Sequence, residues 1–235
     1  MGKIIECDRY VGPYKCCSII TGNCLEILPN IPSGMITFTL TDPPYGVGLS
    51  YDGYFDSMGN LKNLVAGFMP ELRRLSDLSI ITPGVNALHL YPASSWICCW
   101  YIEAGMSAAR NNWGFSCWQP ILVYGKPKRE LYSDVVKHME GADRDGAKFH
   151  PCPKPYHFWR KLMLWGIREQ HEQGIIRVLD PFSGSGTTAF AAQEFGIHFL
   201  GIEQNPRYAQ LSREKLVLTR SDLFTMLPLA DVSDV

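Results

Sequence analysis

The segment Ile175-Ile176-Arg177-Val178-Leu179 leads straight into Asp180-Pro181-Phe182-Ser183-Gly184-Ser185-Gly186-Thr187-Thr188-Ala189. Its first five residues read as a short buried strand, and a helical pattern starts at Thr187. The glycines between them permit a tight turn and close approach of another group to the backbone. Working outward, the chain repeats this alternation. Cys17–Thr21, Met35–Thr41, Leu78–Thr82, Pro120–Tyr124 and His198–Ile202 read as further strands, and Leu61–Leu75, Tyr156–Gln170, Thr187–Phe195 and Pro206–Arg220 as helices. Short, continuously apolar strands separated by helices predict an α/β fold, a mostly parallel twisted sheet with helices on both faces. Ligands of such sheets gather at the carboxyl ends of the strands.

The glycine turn carries chemistry as well as shape. Free amides at a helix start favour an anionic group. Glu203 follows Gly184 by nineteen residues and one strand, the spacing at which an acid reaches ribose hydroxyls. Three readings fit this pair: a packing turn, a dinucleotide such as NAD, or a nucleoside cofactor such as S-adenosylmethionine. With 235 residues, 46% of them hydrophobic and 19% charged, the chain is a folded domain rather than a disordered polymer, and one domain over 1–235 is expected. Lys and Arg total 22 against 23 Asp and Glu, so net charge by itself points to no nucleic-acid or membrane partner. The longest apolar run, Trp96–Ile102, falls far short of the ~18 residues of a membrane span. With charged residues at Lys3, Glu6, Asp8 and Arg9, a signal peptide is not expected either, and the chain reads as cytoplasmic. The eight cysteines, at 7, 16, 17, 24, 98, 99, 117 and 152, form no Cys-x-x-Cys pair, so reduced, mostly buried thiols and no metal site are expected.

The second signal is Thr41-Asp42-Pro43-Pro44-Tyr45-Gly46, at the carboxyl end of the strand Met35–Thr41. In isolation Pro-Pro-Tyr is an ordinary turn; its place at a strand's carboxyl end makes it a candidate site. Two prolines stiffen the backbone and remove competing donors. The Asp42 carboxylate and the Pro43 carbonyl would then be two acceptors able to hold both hydrogens of one amino group. Tyr45 offers an aromatic face on which a base can stack, worth about 1–3 kcal/mol. An exocyclic base amine is a poor nucleophile because its lone pair is delocalised into the ring. Two acceptors that draw its hydrogens toward a tetrahedral arrangement restore density at nitrogen, and a sulfonium methyl is an electrophile for in-line attack. Such catalysis works by position and electrostatics and needs no covalent enzyme intermediate.

These residues resemble the DNA amino-methyltransferases that modify adenine N6 or cytosine N4, in the beta class, where the catalytic half precedes the cofactor half. Asp42, Pro43, Pro44 and Tyr45 are similar to the catalytic motif, and Asp180-Pro181-Phe182-Ser183-Gly184 through Gly186, Thr187 and Thr188 to the cofactor loop, in that circularly permuted order. Gly22-Asn23-Cys24-Leu25-Glu26 is similar to a family Gly-Asp-Cys-Leu-Glu whose acid reaches the cofactor adenine; here Asn23 stands in that place and can still accept a hydrogen bond. His150-Pro151-Cys152-Pro153-Lys154-Pro155 is similar to His-Pro-x-x-Lys-Pro, which places Lys154 near the cofactor carboxylate. The resemblance spans about Ser18 to Leu218. It implies a Rossmann-like methyltransferase fold with the last two strands beside the first, and S-adenosylmethionine held by Asn23, Cys24, Lys154, Asp180 to Gly184, Gly186, Thr187, Glu203 and Gln204. It also implies a flipped base as substrate. Asp before Pro-Pro-Tyr leans to adenine N6, since the cytosine enzymes more often carry Ser there.

DNA then has to meet a local positive patch. Between Lys126 and Arg168 ten Lys or Arg face five Asp or Glu, and Lys126, Lys128 and Arg129 are the phosphate-contact candidates. Family members carry a larger target-recognition insert than the polar segment at about 126–149, with Val47–Asn60 as an addition. Specificity is thus short, relaxed or completed by a second subunit, a homodimer being one form of this. The tryptophans read as core or interface rather than base-stacking groups. The competing functions are a non-catalytic methyltransferase-like DNA-binding subunit, against which the intact Asp42, Tyr45 and glycine loop argue, and an NAD-linked oxidoreductase.

Overall fold

A computed structural model describes residues 7–51, 53–111, 114–126, 133–138, 155–169 and 174–222. Among them the order of elements is β1 (Tyr10–Val11), β2 (Tyr14–Lys15), β3 (Ser18–Thr21), α1 (Cys24–Ile27), β4 (Phe38–Thr41), β5 (Val47–Tyr51), β6 (Tyr54–Ser57) and α2 (Met58–Leu75). There follow β7 (Ser79–Ile81), β8 (Trp96–Asn111), β9 (Gly114–Tyr124), β10 (Val135–His138), α3 (Tyr156–Glu169), β11 (Arg177–Asp180), α4 (Thr187–Glu194), β12 (His198–Glu203) and α5 (Pro206–Asp222).

Eight strands form one sheet in the order β10-β8-β9-β7-β4-β11-β12-β3. The run from β7 to β3 is parallel, with β11 joined to β4 through Val178↔Phe38 and to β12 through Val178↔Phe199. The last two strands therefore lie between β4 and β3, as the permuted order implies. Each face has its own core, because alternate strand residues point to opposite sides. On one face α2 lays Leu61, Leu64, Val65, Phe68, Leu72 and Leu75 against Ile81, Leu179, Leu200 and Ile202. On the other, Phe158, Trp159, Leu162 and Met163 of α3 and the alanines of α4 cover Phe38, Leu40, Ile80, Val178 and Phe199. The burial of α2 recurs every three or four residues. Its start is capped by Ser57, whose hydroxyl accepts from Asn60 N at 3.2 Å.

The sequence expectation departs from the structure at one edge. Pro120–Tyr124 is the end of the longer β9, which runs antiparallel to both β7 and β8. The apolar run from Trp96 opens β8, a strand not expected at all, and within the segment read as a loop Val135–His138 pairs in parallel with Cys99–Ile102. Val47–Tyr51 and Tyr54–Ser57 make a separate antiparallel hairpin. Trp100 and Trp159 are core residues, with Trp100 stacked on Phe158 at 4.0 Å between centroids.

Helix α3 reaches the sheet through Gly166, where a Cβ would lie 2.3 Å from the ring of the fully buried Phe38. Gly166→Ala is expected to lower unfolding free energy by about 1–3 kcal/mol through overpacking, read as a shift of the urea midpoint at unchanged slope.

Candidate active site

Strand direction gathers the motifs. The chain leaves β4 toward β7 and leaves β11 toward β12, in opposite directions across the sheet, so a crevice opens at the carboxyl ends between β4 and β11. A cavity there is lined by Gly22, Cys24, Asp42, Pro43, Pro44, Tyr45, Tyr54, Asp56, Trp159, Asp180, Pro181, Phe182, Ser183, Gly184, Thr187, Thr188, Glu203 and Gln204, among others. All four residues of the Asp-Pro-Pro-Tyr element and most of the glycine-turn set thus share one space.

Asp180 ends β11 with no exposed carboxylate surface to spare. Thr41 donates to its Oδ1 at 2.6 Å, Phe182 N to the same oxygen at 3.1 Å, and Thr188 to Oδ2 at 2.5 Å. Thr188 is in turn the acceptor for Trp159 Nε1 at 2.8 Å. Burial pushes the Asp180 carboxyl up to about 6 against the pull of these donors. Past it, Gly184 and Gly186 adopt left-handed φ of 50° and 85°, the second as N-cap of α4. Glu203, at the end of β12, accepts Gly184 N and Asn205 N, each at 2.8 Å; burial raises its pKa. Cys24 also lines the cavity, and burial pushes its thiol up to about 12, which keeps it neutral.

Across the crevice the Tyr45 hydroxyl donates to Asp42 Oδ1 at 2.6 Å, and Thr82 donates to the same oxygen at 2.5 Å. Burial first, then the Asp42 charge, raises the Tyr45 phenol well above its usual value, so it remains a donor. One side of the Tyr45 ring lies on Gly84, where a Cβ would stand 3.0 Å from Cγ. The following loop is held by Asp56, which is fully buried and accepts the backbone N–H groups of Tyr45, Gly46 and Val47 at 3.3, 2.8 and 3.2 Å. Asp56, Thr82 and Trp159 have no signal in the sequence, since Asp56 and Thr82 meet the motif only through hairpin and sheet pairing and Trp159 only through the packing of α3 against α4.

Other expected residues sit elsewhere. Asn23 is the N-cap of α1, its Oδ1 accepting from Leu25 N at 3.0 Å, between the lining residues Gly22 and Cys24. Because β9 runs antiparallel, its end at Tyr124 pairs with Ser79 at the start of β7, so Lys126 lies at the end of the sheet opposite the cavity. Lys128, Arg129 and Lys154 lie outside the described residues. Arg160 is engaged with Glu194 at 2.7 Å.

A Rossmann-like sheet with a glycine turn and an acid on successive central strands, facing Asp-Pro-Pro-Tyr, defines the class as methyltransferase-like. The DNA methylase family matches residues 100–214. The type II methyltransferase M.HpaI of Haemophilus parainfluenzae is 27% identical, the match covering 84% of this chain and 73% of that protein. The DNA adenine methyltransferase YhdJ of Escherichia coli is 24% identical, over 85% and 82%. Among solved structures, the cytosine-N4-specific PvuII DNA methyltransferase superposes with a TM-score of 0.63 at 15% identity, over 88% of this chain and 92% of that one. The M1.HpyAVI–SAM complex gives 0.58 at 20% identity, over 85% and 98%. The chain is thus similar to the DNA methylases over residues 100–214 and to type II and adenine DNA methyltransferases over most of its length. No helix among the described residues is long and apolar enough to cross a membrane.

Asp180 gives the site a measurable signature. A carboxyl raised from 3.8 to about 6 favours the folded state while protonated, so its stabilising contribution is complete below the unfolded value and is lost as pH climbs through about 6. Relative to Asp180→Asn, the wild type should lose on the order of 3 kcal/mol of unfolding free energy between about pH 4 and pH 7, measured by urea titration at each pH.

Proposed function

We propose that the chain methylates the exocyclic amine of a flipped DNA base, adenine N6, with S-adenosylmethionine as donor, in a single catalytic domain whose 126–149 segment contributes to target reading. The observation that carries this reading is the meeting of Asp42–Tyr45 with Asp180–Gly184 and Glu203 in one cavity at the switch point of the sheet. The residues present fit the cofactor. Glu203 can accept from ribose hydroxyls with lone pairs its two backbone donors do not use. Phe182, edge-on to Phe68 at 5.1 Å, and the buried Cys24 supply apolar wall. Ser183 Oγ is buried without a protein partner among the described residues. Bound there, S-adenosylmethionine supplies a sulfonium methyl for direct transfer.

The chain's own groups do the rest. Tyr45 and Thr82 fix the rotamer of Asp42, which accepts one hydrogen of the amine while the Pro43 carbonyl accepts the other. Asp42 is also the group in place to receive the proton released as the new N–C bond forms. Tyr45, backed by Gly84, offers its remaining ring surface to the base. Cytosine N4 is the second reading, favoured by the likeness to the PvuII enzyme; sequencing of DNA from expressing cells with a modified-base readout separates the two and reports the target site.

S-adenosylhomocysteine should raise the Tm, and NAD should not. Asp42→Ala should keep that shift yet transfer labelled methyl to DNA about 10²–10³-fold more slowly; transfer at the wild-type rate would remove the reading. Gly84→Ala, with a Cβ against Tyr45 and a φ of 72°, should cut transfer about 10–100-fold by displacing that ring, again with the S-adenosylhomocysteine shift intact.

A further inference from the structure

At the amino ends of β3 and β12, the end of the sheet away from the cavity, four side chains distant in sequence converge. The Sγ atoms of Cys7, Cys16 and Cys17 lie 3.2, 3.3 and 3.6 Å from the single atom Nδ1 of His198. The Cys16 and Cys17 sulfurs are 3.9 Å apart, and all four donor atoms fall within 4.8 Å of one another. Hydrogen bonding does not account for this. A ring nitrogen has one N–H or one lone pair, and a thiol is a weak donor, so Nδ1 can pair with one sulfur and leaves two crowded against it. A tetrahedral metal does account for it. Zinc–sulfur and zinc–nitrogen bonds of about 2.3 and 2.0–2.1 Å imply tetrahedron edges of about 3.8 Å between sulfurs and about 3.5 Å from sulfur to nitrogen. The three sulfur-to-nitrogen separations and the Cys16–Cys17 separation lie close to these values.

The backbone is bent to the same end. Consecutive residues of an extended strand point to opposite faces, so Cys16 and Cys17 could not both aim at one point. Cys17 has a φ of 57°, the one non-glycine residue with positive φ among the described residues. That kink brings both sulfurs to the same side. It is held by Cys16 N to Arg9 O at 2.9 Å and Cys17 N to Phe199 O at 2.7 Å. The β1–β2 hairpin between them returns the chain so that Cys7 supplies the remaining thiol.

We propose that Cys7, Cys16, Cys17 and Nδ1 of His198 bind one structural zinc ion. Binding releases three thiol protons to solvent and leaves three thiolates, one neutral imidazole and Zn2+, with no change of oxidation state. Four protein ligands close the tetrahedron, so the site holds structure rather than activating water. It clamps the amino-terminal hairpin onto β3, the edge strand. Thiolate ligands select zinc over magnesium or calcium.

The full chain, purified under reducing conditions with zinc present, should hold one zinc per chain by elemental analysis. Replacing zinc with Co2+ should give the intense visible bands of tetrahedral cobalt and a sulfur-to-cobalt charge-transfer band. Stripping the metal should lower the Tm, and zinc should restore it. Cys16→Ser and His198→Ala should each weaken cobalt binding at least about tenfold, whereas Cys117→Ser, an exposed thiol outside the cluster, should not. Substoichiometric zinc, a wild-type cobalt complex without tetrahedral bands, or a disulfide among the three cysteines in the reduced preparation would each overturn the assignment. The cobalt spectrum is read on the wild type and does not depend on any variant folding.

Discussion

The buried carboxylate of Asp180 is the constraint on which the crevice depends. It ties together three segments that the sheet and the chain bring near it: Thr41 at the end of β4, Phe182 in the glycine turn and Thr188 in the first turn of α4. A carboxylate removed from water is tolerable only if donors surround it, and here every donor comes from a segment that shapes the cavity. Through Thr188 and the Trp159 indole the set extends into α3 and the core behind it. The turn therefore has its shape before any ligand arrives, which is what positional catalysis requires.

The opposite wall is organised by a different kind of carboxylate. Asp56 takes three consecutive backbone N–H groups and uses its charge to hold a loop, not to touch a reactant. Asp42 carries hydroxyl donors on one oxygen and faces the cavity. Two acids fourteen residues apart thus hold different things, one the backbone of a loop and the other two hydroxyls at the cavity wall, and the prolines between them limit how far either can drift.

Both motifs were legible because each is local: a strand, a turn and a helix start are written within fifteen consecutive residues, and the parallel core strands are continuously apolar. What was not legible depends on pairing at a distance. β8 carries an apolar run without alternation and β10 is only four residues long; β8 forms on the open edge of β9, and β10 in turn on the edge of β8. The antiparallel course of β9 also carries Lys126 to the far end of the sheet, which no count of charges can show. Thr82 and Asp56 reach the motif through register. Separation along the chain hides the thiol cluster: Cys7 and His198 are neighbours across 191 residues, because β12 inserts beside β3.

The two walls of the crevice come from 42–56 and 180–204, while the long stretch between them builds the outer half of the sheet. The entropy of closing a loop grows only with the logarithm of its length, so doubling the chain between two fixed ends costs about 0.6 kcal/mol. That is less than one charge-assisted hydrogen bond to Asp180 contributes. The outer half can accordingly lengthen or shorten at little entropic cost while the crevice keeps its dimensions, because the contacts that fix the crevice lie in the two short segments that wall it.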